Sequence, residues 1–508
     1  MCGICGVHGR HPDPVGETRK MMAALRHRGP DAEGLLQRGP TTLGHVRLSI
    51  VDPEGGAQPH RSEDGTVALA GNGEIYNHAG LRALLDDHAF ASDADTEAAL
   101  HLFERDGPAF ARALDGMYAL AVADGRDLAL ARDPLGIKPL YVAEKDGTTW
   151  FASELKALAH VGAPLRAVRP GTVWHSRHGV RRSWSLPEAR SEITDAGEAR
   201  RAVRTALEAA VDKRLMADVP LGAFLSGGLD SSAIAALAVR RTGSLKTFSV
   251  GTEGSPDLIA ARVVAAHLGT DHYEHVIDPA EVRAVLPGIV AGLESFDADL
   301  VRSVVPTWFT ARLAAEHVKV ILTGEGADEL FGGYAYHAAY DGDPDALARE
   351  LTRSLGTMHD VNLQRVDRMT MAHGLEGRVP FLDVDLIDVA QRIDPRLKRR
   401  GGTEKWILRE AVADLLPESI VWRDKAQFDE GSGSVDLLAE LVRDLPRDAG
   451  PAAPFPLRSA EEAAYYRMFA GAFPDPAAAA AVVGRWHAGR TPNAGNGADG
   501  AEGVDGAR

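Results

Sequence analysis

VPLGAFLSGGLDSSAIAALAVRR, residues 219–241, changes character twice. An apolar run, 219–225, ends in the small residues Ser226, Gly227 and Gly228, and an alanine-rich segment follows. This reads as a strand, a tight loop and a buried helix. Consecutive small residues let backbone N–H groups cradle a phosphate, and a helix N-terminus favours an anion there. Gly222 and Gly227 have P-loop spacing, but Gly228 and Leu229 stand where that loop needs Lys-Ser/Thr. Simple γ-phosphate hydrolysis is therefore not indicated. In isolation, Ser226 and Asp230 would be ordinary helix-capping residues.

The surrounding sequence extends this unit. Val203, Leu207, Val211 and Leu215 recur every four residues, which places them along one helix face. LKTFSV (245–250) and VKVIL (318–322) read as further buried strands with helical segments between them. Strands alternating with helices predict an α/β domain with a parallel sheet. A second loop, TGEGADELFGGY (323–334), follows the later strand. Open α/β sheets bind ligands at the carboxyl ends of their strands. Asp230 and Asp328 thereby become candidate Mg²⁺ ligands, because hard carboxylate oxygens suit that ion.

The N-terminal part differs. LGHVRLSIVD (43–52), TVALAGNGEIYN (66–77), YALAVADG (118–125) and TTWFAS (148–153) read as short strands. Helical patterning appears at ETRKMMAALRHR and DTEAALHLFERDG. An α+β domain over 2–185 is expected, joined by a polar, proline-bearing linker (181–200) to a second domain over 200–488. The stretch 489–508 has almost no large apolar side chains and is expected to be disordered.

A net charge of −16 argues against a general nucleic-acid binder and against recruitment to anionic membranes. No apolar run is long enough to span a bilayer, and the N-terminus lacks a secretory pattern. A cytoplasmic location is expected. The only cysteines are Cys2 and Cys5, too few for a disulfide framework or a four-ligand thiolate metal site.

Removing Met1 would leave Cys2 with a thiol and a free α-amine, whose ordinary pKa of about 7.7–8.0 suits a base near neutrality. N-terminal nucleophiles cleave amides in this way. Cys2 alone would not decide the matter. MCGICG is followed in order by RHRGPD (26–31), HVRLSIVD (45–52), GNGEIYNH (71–78) and DTE (95–97). Together they resemble the class II, N-terminal-nucleophile glutaminase domain, an αββα sandwich. The resemblance implies a glutamine site built from Arg47, Leu48, Ser49, Ile50, Val51, Asn72, Gly73, Glu74 and Asp95. Arg47 suits the α-carboxylate as a bidentate fork, and Glu74 and Asp95 suit the ammonium. Asn72 and the Gly73 N–H match the oxyanion hole. Alone, Asn72-Gly73 would read as a hairpin turn.

SGGLDSS resembles the PP-loop of ATP pyrophosphatases, adenine-nucleotide α-hydrolase-like enzymes that release pyrophosphate. With EKWILRE (404–410) and WRDKAQF (422–428), the order is similar to the glutamine-hydrolysing asparagine synthetase family over roughly 2–430. The resemblance implies ATP as a substrate, held by Leu225, Ser226, Gly227, Gly228, Asp230, Ser231, Ser232, Val250, Thr323, Gly324 and Lys405. It implies catalytic roles for Cys2, Asn72, Gly73, Glu325 and Lys425, and it is compatible with a homodimer. Arg302 and Arg378 are expected at the acceptor carboxylate. One departure is DLVRSVVP (299–306), where the family often carries Thr-Thr-Ile-Arg-Ala-Ser-Thr-Pro. Asp299 and the valines there leave open an acceptor other than aspartate. A ring-closing relative resembling β-lactam synthetase would need no ammonia, and the complete set around Cys2 speaks against it. A non-catalytic binding homologue would not need both sets.

Overall fold

The computed structural model describes residues 2–424, 428–443 and 453–486. Lys425 and the stretch 489–508 lie outside the described residues. The first domain contains β1 (Cys2–Gly9), β2 (Ala32–Arg38), β3 (Thr41–Arg47), β4 (His60–Arg61), β5 (Ala68–Ile75) and β6 (Gly116–Ala123). It continues with β7 (Leu128–Arg132), β8 (Tyr141–Lys145), β9 (Thr148–Ala152), β10 (Leu165–Ala167), β11 (Thr172–His175) and β12 (Gly179–Arg182). Two six-stranded sheets result, ordered β10-β8-β9-β1-β3-β2 and β12-β11-β7-β6-β5-β4. β1 lies between β9 and β3, with Cys2 opposite Arg47 and Cys5 opposite Ala152.

The sheets pack on each other through Ile4, Leu43, Ala70, Ala119, Ala121 and Phe151. The alanines bring the inner faces close, and Phe151 supplies most of the volume. Each outer face carries a helix. Pro14–Leu25 sets Met21, Met22 and Leu25 against Val7 and Val46 of the first sheet. Its start is fixed by Pro14 and by Asp13, whose side chain accepts from Gly16 N at 2.9 Å. Glu97–Asp106 sets Leu100 and Phe103 against the second sheet. This is an αββα sandwich of the N-terminal-nucleophile type.

The second domain is built on β13 (Leu221–Phe224), β14 (Lys246–Gly251), β15 (Asp271–Val276), β16 (Val320–Leu322) and β17 (Glu376–Arg378). All pair in parallel, in the order β15-β14-β13-β16-β17. β13 is followed in sequence by β14 on one side and faces β16 on the other. Their carboxyl-end loops diverge, which opens a crevice there. β15 and β17 escape the sequence pattern for physical reasons. β15 (DHYEHV) is an edge strand with a half-exposed, charged surface, and β17 has only three residues.

The helix Ala196–Lys213 buries Val203, Leu207 and Val211 as expected, and Leu215 packs just beyond its end. The connection before it is tied down rather than loose. Arg190 N donates to Gln391 O and Ile193 N to Arg392 O, both at 2.8 Å, and Ile193 is buried. Among the described residues, no helix is long and apolar enough to cross a membrane.

Phe151→Ala should lower stability by about 3–5 kcal/mol, because the two sheets cannot collapse onto the space left. The shift is read as a fall in the thermal or urea midpoint; an unchanged midpoint would show that Phe151 does not hold the sandwich.

Candidate active site

The glutaminase half is assembled at the start of β1. Cys2 N donates to Asn72 Oδ1 at 3.0 Å, and Cys2 O accepts from Arg28 Nε at 3.1 Å. Burial pushes the Cys2 thiol up from its ordinary value. Asn72 is fully buried, and its Nδ2 has no hydrogen-bond partner. A buried amide N–H₂ left unpaired is costly unless a ligand takes it, so Nδ2 is available to a developing oxyanion beside the thiol. Gly73 has φ +144°, and a Cβ there would meet Met117 O at 1.9 Å. Asn72-Gly73 lies inside β5, paired with β6, and forms no hairpin turn; glycine is required there by the positive φ and the close approach of the neighbouring strand.

Glu74 and Asp95 converge behind Asn72. Asp95 Oδ2 accepts from Ile75 N at 2.5 Å. Burial pushes the Asp95 carboxyl up to about 6, aided by the charge of Glu376. Burial likewise holds Glu74 well above the carboxylate range, with Glu376 and Asp95 adding repulsion. Two carboxyls that ionise only at a cost are suited to an ammonium. Arg47 spends donors on the carbonyls of Pro53 (2.9 Å), Asp52 (2.6 Å) and Val51 (3.3 Å), so it also shapes the loop after β3. Ser49 N donates to Asp31 at 2.8 Å. Leu48 and Ile50 point their side chains away, into an apolar contact with Val320 and Met371 of the second domain, and half-buried Val51 packs against it. Those three offer the site backbone only.

The other half is a cavity of about 280 Å³ at the carboxyl ends of β13, β14 and β16. Leu225, Ser226, Gly228, Asp230, Ser231, Val250, Thr323, Gly324, Glu325, Asp328 and Lys405 all line it. Ser226 Oγ and Ser231 Oγ are 3.1 Å apart, which pins the loop to the helix start. Gly227 and Ser232 do not line it. Gly227 has φ +71°, and a Cβ would meet Ala261 N at 2.4 Å, so it serves the turn itself. Ser232 is the fourth residue of the helix Leu229–Thr242 and is buried. Lys405 Nζ sits 2.5 Å from Asp230 Oδ2 and 2.6 Å from Asp328 Oδ1. The two aspartates, nearly a hundred residues apart in sequence, therefore share one cation. Glu325 pairs with Arg365 from the helix Asn362–Met371.

Arg302 and Arg378 do not belong to this cavity. Arg302 turns to Glu461 on the helix Ala460–Gly471 (Nε, 3.1 Å) and to Asp299 (3.1 Å). Arg378 is fully buried on the far side of β16, bonded to Glu376 and to the carbonyls of Arg214 and Met216. It also lies 3.4 Å from Glu74, so it serves the glutaminase end. Among the described residues, the cations lining the cavity are Arg365, Lys405, Arg409 and Arg423. Arg365 carried no sequence signal, because an isolated arginine on a helical segment looks like surface charge, and Arg423 lies within WRDKAQF (422–428), beside the lysine that the resemblance marks instead. The departure at 299–306 also reads differently in three dimensions. It forms part of the helix Ala298–Ala315. Val301, Val304 and Val305 are core residues, and Asp299, Ser303, Thr307 and Thr310 face the cavity. The valines add nothing apolar to the pocket.

A buried ionic network joins the halves. Arg28 donates to Glu154 at 2.6 Å and to both oxygens of Asp367 at 2.8 and 3.0 Å. Arg368 donates to Glu294 (2.8 Å) and Ser153 O (3.2 Å). Burial opposes the Asp367 charge, but Arg28 outweighs it and holds the carboxyl below its usual range.

The raised Asp95 value has a testable sign. A carboxyl whose folded pKa lies above the ordinary 3.8 is stabilising below that value, and the benefit is lost as pH rises through about 6. Two pH units at about 1.4 kcal/mol each put the cost of ionised Asp95 near 3 kcal/mol at pH 8. Asp95→Asn should therefore raise the melting temperature at pH 8, with the gain shrinking toward pH 5, while weakening glutamine binding. A variant less stable at pH 8 would show that the bond to Ile75 N outweighs desolvation.

The comparisons agree with this geometry. Residues 1–173 match the family model of the glutamine amidotransferase domain, and residues 202–343 and 339–488 match that of asparagine synthase. An asparagine synthetase [glutamine-hydrolyzing] of Asparagus officinalis is 39% identical over 95% of this chain and 88% of its own. Asparagine synthetase [glutamine-hydrolyzing] 3 of Arabidopsis thaliana is 39% identical over 95% and 89%. Among solved structures, the glutamine PRPP amidotransferase from B. subtilis complexed with ADP and GMP has TM-score 0.32 and 22% identity, covering 50% of this chain and 67% of its own. The chain belongs to the glutamine-hydrolysing asparagine synthetase family.

Proposed function

We propose that the protein converts aspartate to asparagine, taking ammonia from glutamine and cleaving ATP to AMP and pyrophosphate. One observation carries the reading. The helix Asn362–Met371 gives Arg365 to Glu325 in the cavity and Asp367 to Arg28, which holds the Cys2 carbonyl. A single rigid element thus touches both half-sites.

In the glutaminase half, the Cys2 thiol gives its proton to the α-amine left by loss of Met1 and attacks the side-chain amide carbon of glutamine. Asn72 Nδ2 and the Gly73 N–H stabilise the oxyanion. Ammonia leaves, and water hydrolyses the thioester to glutamate. In the second half, the β-carboxylate of aspartate attacks the α-phosphorus of ATP, and pyrophosphate leaves. Ser226, Gly228 and the start of the helix Leu229–Thr242 receive phosphate oxygens, and Leu225 and Val250 flank the adenine. Asp230 and Asp328 are spaced to hold Mg²⁺, which would supply charge neutralisation at the phosphates. Ammonia then crosses the interface and displaces AMP from the β-aspartyl carbon, with Glu325 placed to take its proton. The family resemblance assigns Lys425 to the reacting centre. Arg365 and Arg423 line the same cavity and are candidates for the acceptor's carboxylate, with the hydroxyls of Ser303, Thr307 and Thr310 beside them. With the valines in the core, a different acceptor loses its main support. A cytoplasmic setting would keep the Cys2 thiol reduced.

The deciding assay is pyrophosphate release with ATP, Mg²⁺ and glutamine, with and without aspartate, with products identified by mass spectrometry. Asparagine and AMP should form only with aspartate, and the intact mass should lack Met1. Cys2→Ala should abolish glutamine use and spare ammonia use, and Asp230→Asn should abolish pyrophosphate release. Loss of both nitrogen sources in Cys2→Ala would refute the two-site reading; glutaminase activity without asparagine would refute the acceptor.

A further inference from the structure

On the outer face of the first domain, away from both half-sites, four side chains from three segments converge. Glu63 lies in the loop between β4 and β5, His88 follows the helix His78–Leu84, and His101 and Glu104 share one face of the helix Glu97–Asp106. His101 Nδ1 is 2.8 Å from Glu104 Oε2 and 3.6 Å from Glu63 Oε2. His88 Nδ1 is 3.1 Å from Glu63 Oε1 and 3.7 Å from Glu104 Oε2. One ligand atom from each residue lies within 4.8 Å of all the others.

We propose that Glu63, His88, His101 and Glu104 form a structural site for a divalent transition metal of the zinc class. Zinc bonds of about 2.0–2.2 Å in tetrahedral geometry place ligand atoms about 3.3–3.5 Å apart. The nitrogen–oxygen contacts, 2.8, 3.1, 3.6 and 3.7 Å, lie around that spacing, with Glu63 meeting His88 through Oε1 and His101 through Oε2. Two imidazoles and two carboxylates form a neutral site with a divalent ion, and imidazole nitrogen favours zinc-class ions over Mg²⁺.

A second observation lies behind the cluster. His101 is fully buried, and its other nitrogen, Nε2, has no hydrogen-bond partner. It faces Glu97 Oε1 at 3.8 Å. That carboxylate is fixed by Ala91 N (2.6 Å), Ser92 N (2.9 Å) and Ser92 Oγ (2.5 Å). A carboxylate behind a histidine's second nitrogen is the arrangement that orients metal-bound imidazole. Exposed Glu63 leaves a route in from solvent. The metal would tie the loops carrying Glu63 and His88 to the helix that starts two residues after Asp95, and so brace the ammonium end of the glutamine site.

The test uses Co²⁺ as probe, with the full-length protein in excess Mg²⁺ to occupy the nucleotide site. About one Co²⁺ per chain should bind with the intense visible absorption of a tetrahedral ion. The band should persist in Cys2→Ala, which removes a competing thiol, and disappear in both His88→Gln and Glu63→Gln, whose exposed or half-buried positions tolerate change. Glu97→Gln should retain the band but weaken affinity about 10- to 100-fold. Zn²⁺ should displace Co²⁺ and raise the melting temperature of the parent protein but not of His88→Gln. Absence of a tetrahedral spectrum, or an unchanged spectrum in His88→Gln and Glu63→Gln, overturns the proposal.

Discussion

The architecture depends on a set of charges that cannot reach water. Arg28, Glu154, Glu294, Asp367 and Arg368 are all buried where the two domains meet. An isolated buried ion would cost several kcal/mol, and removing one partner of such a pair typically costs about 3–5 kcal/mol. Arg28 pairs with Asp367 and Arg368 with Glu154 across the domain boundary, while Glu294 pairs with Arg368 on its own side and accepts from the N–H groups of Leu155 and Lys156 on the other. Such a network adds little net stability but permits few alternatives. Its geometry fixes the register in which the sandwich docks on the parallel sheet. Because Arg28 also holds the Cys2 carbonyl, the nucleophile's position depends on that docking.

The same economy of charge appears in the nucleotide cavity. Asp230 and Asp328 sit in the first turns of the helices that follow two adjacent parallel strands, and Lys405 comes from a distant segment with its backbone at φ +51°. An ammonium between two carboxylates offsets their mutual repulsion and keeps them close. A left-handed non-glycine residue is seldom retained unless its surroundings demand it. Here the demand is that Lys405 reach both aspartates.

Much of this was legible in the sequence. The small-residue loop at 226–228, the strand-borne thiol at the start of β1 and the glycine at 73 inside β5 are local devices that each need particular residues at consecutive positions. The helix stripe of Val203, Leu207 and Val211 was readable because a buried face repeats with the helical period. β15 was not, because an edge strand with one wet face lacks an apolar run, and neither was β17, whose length is too short to carry a period. Arg302 and Arg378 were misassigned for a related reason. Arginine side chains span several ångströms, and which carboxylate they reach depends on what folds against them.

Sequence by itself therefore determined the two fold classes and the family, since the motifs that carry them are set by neighbours along the chain. Tertiary structure alone decided that Arg365 and Arg423 line the cavity while Arg302 and Arg378 do not, and that the valines at 301, 304 and 305 are core. It also decided that Asp230 and Asp328 share one cation, and that Glu63 and His88 meet His101 and Glu104. The reason is physical. Electrostatic and coordination partners are selected by distance in space, and chain separation carries no information about that distance once the sheets and helices have packed.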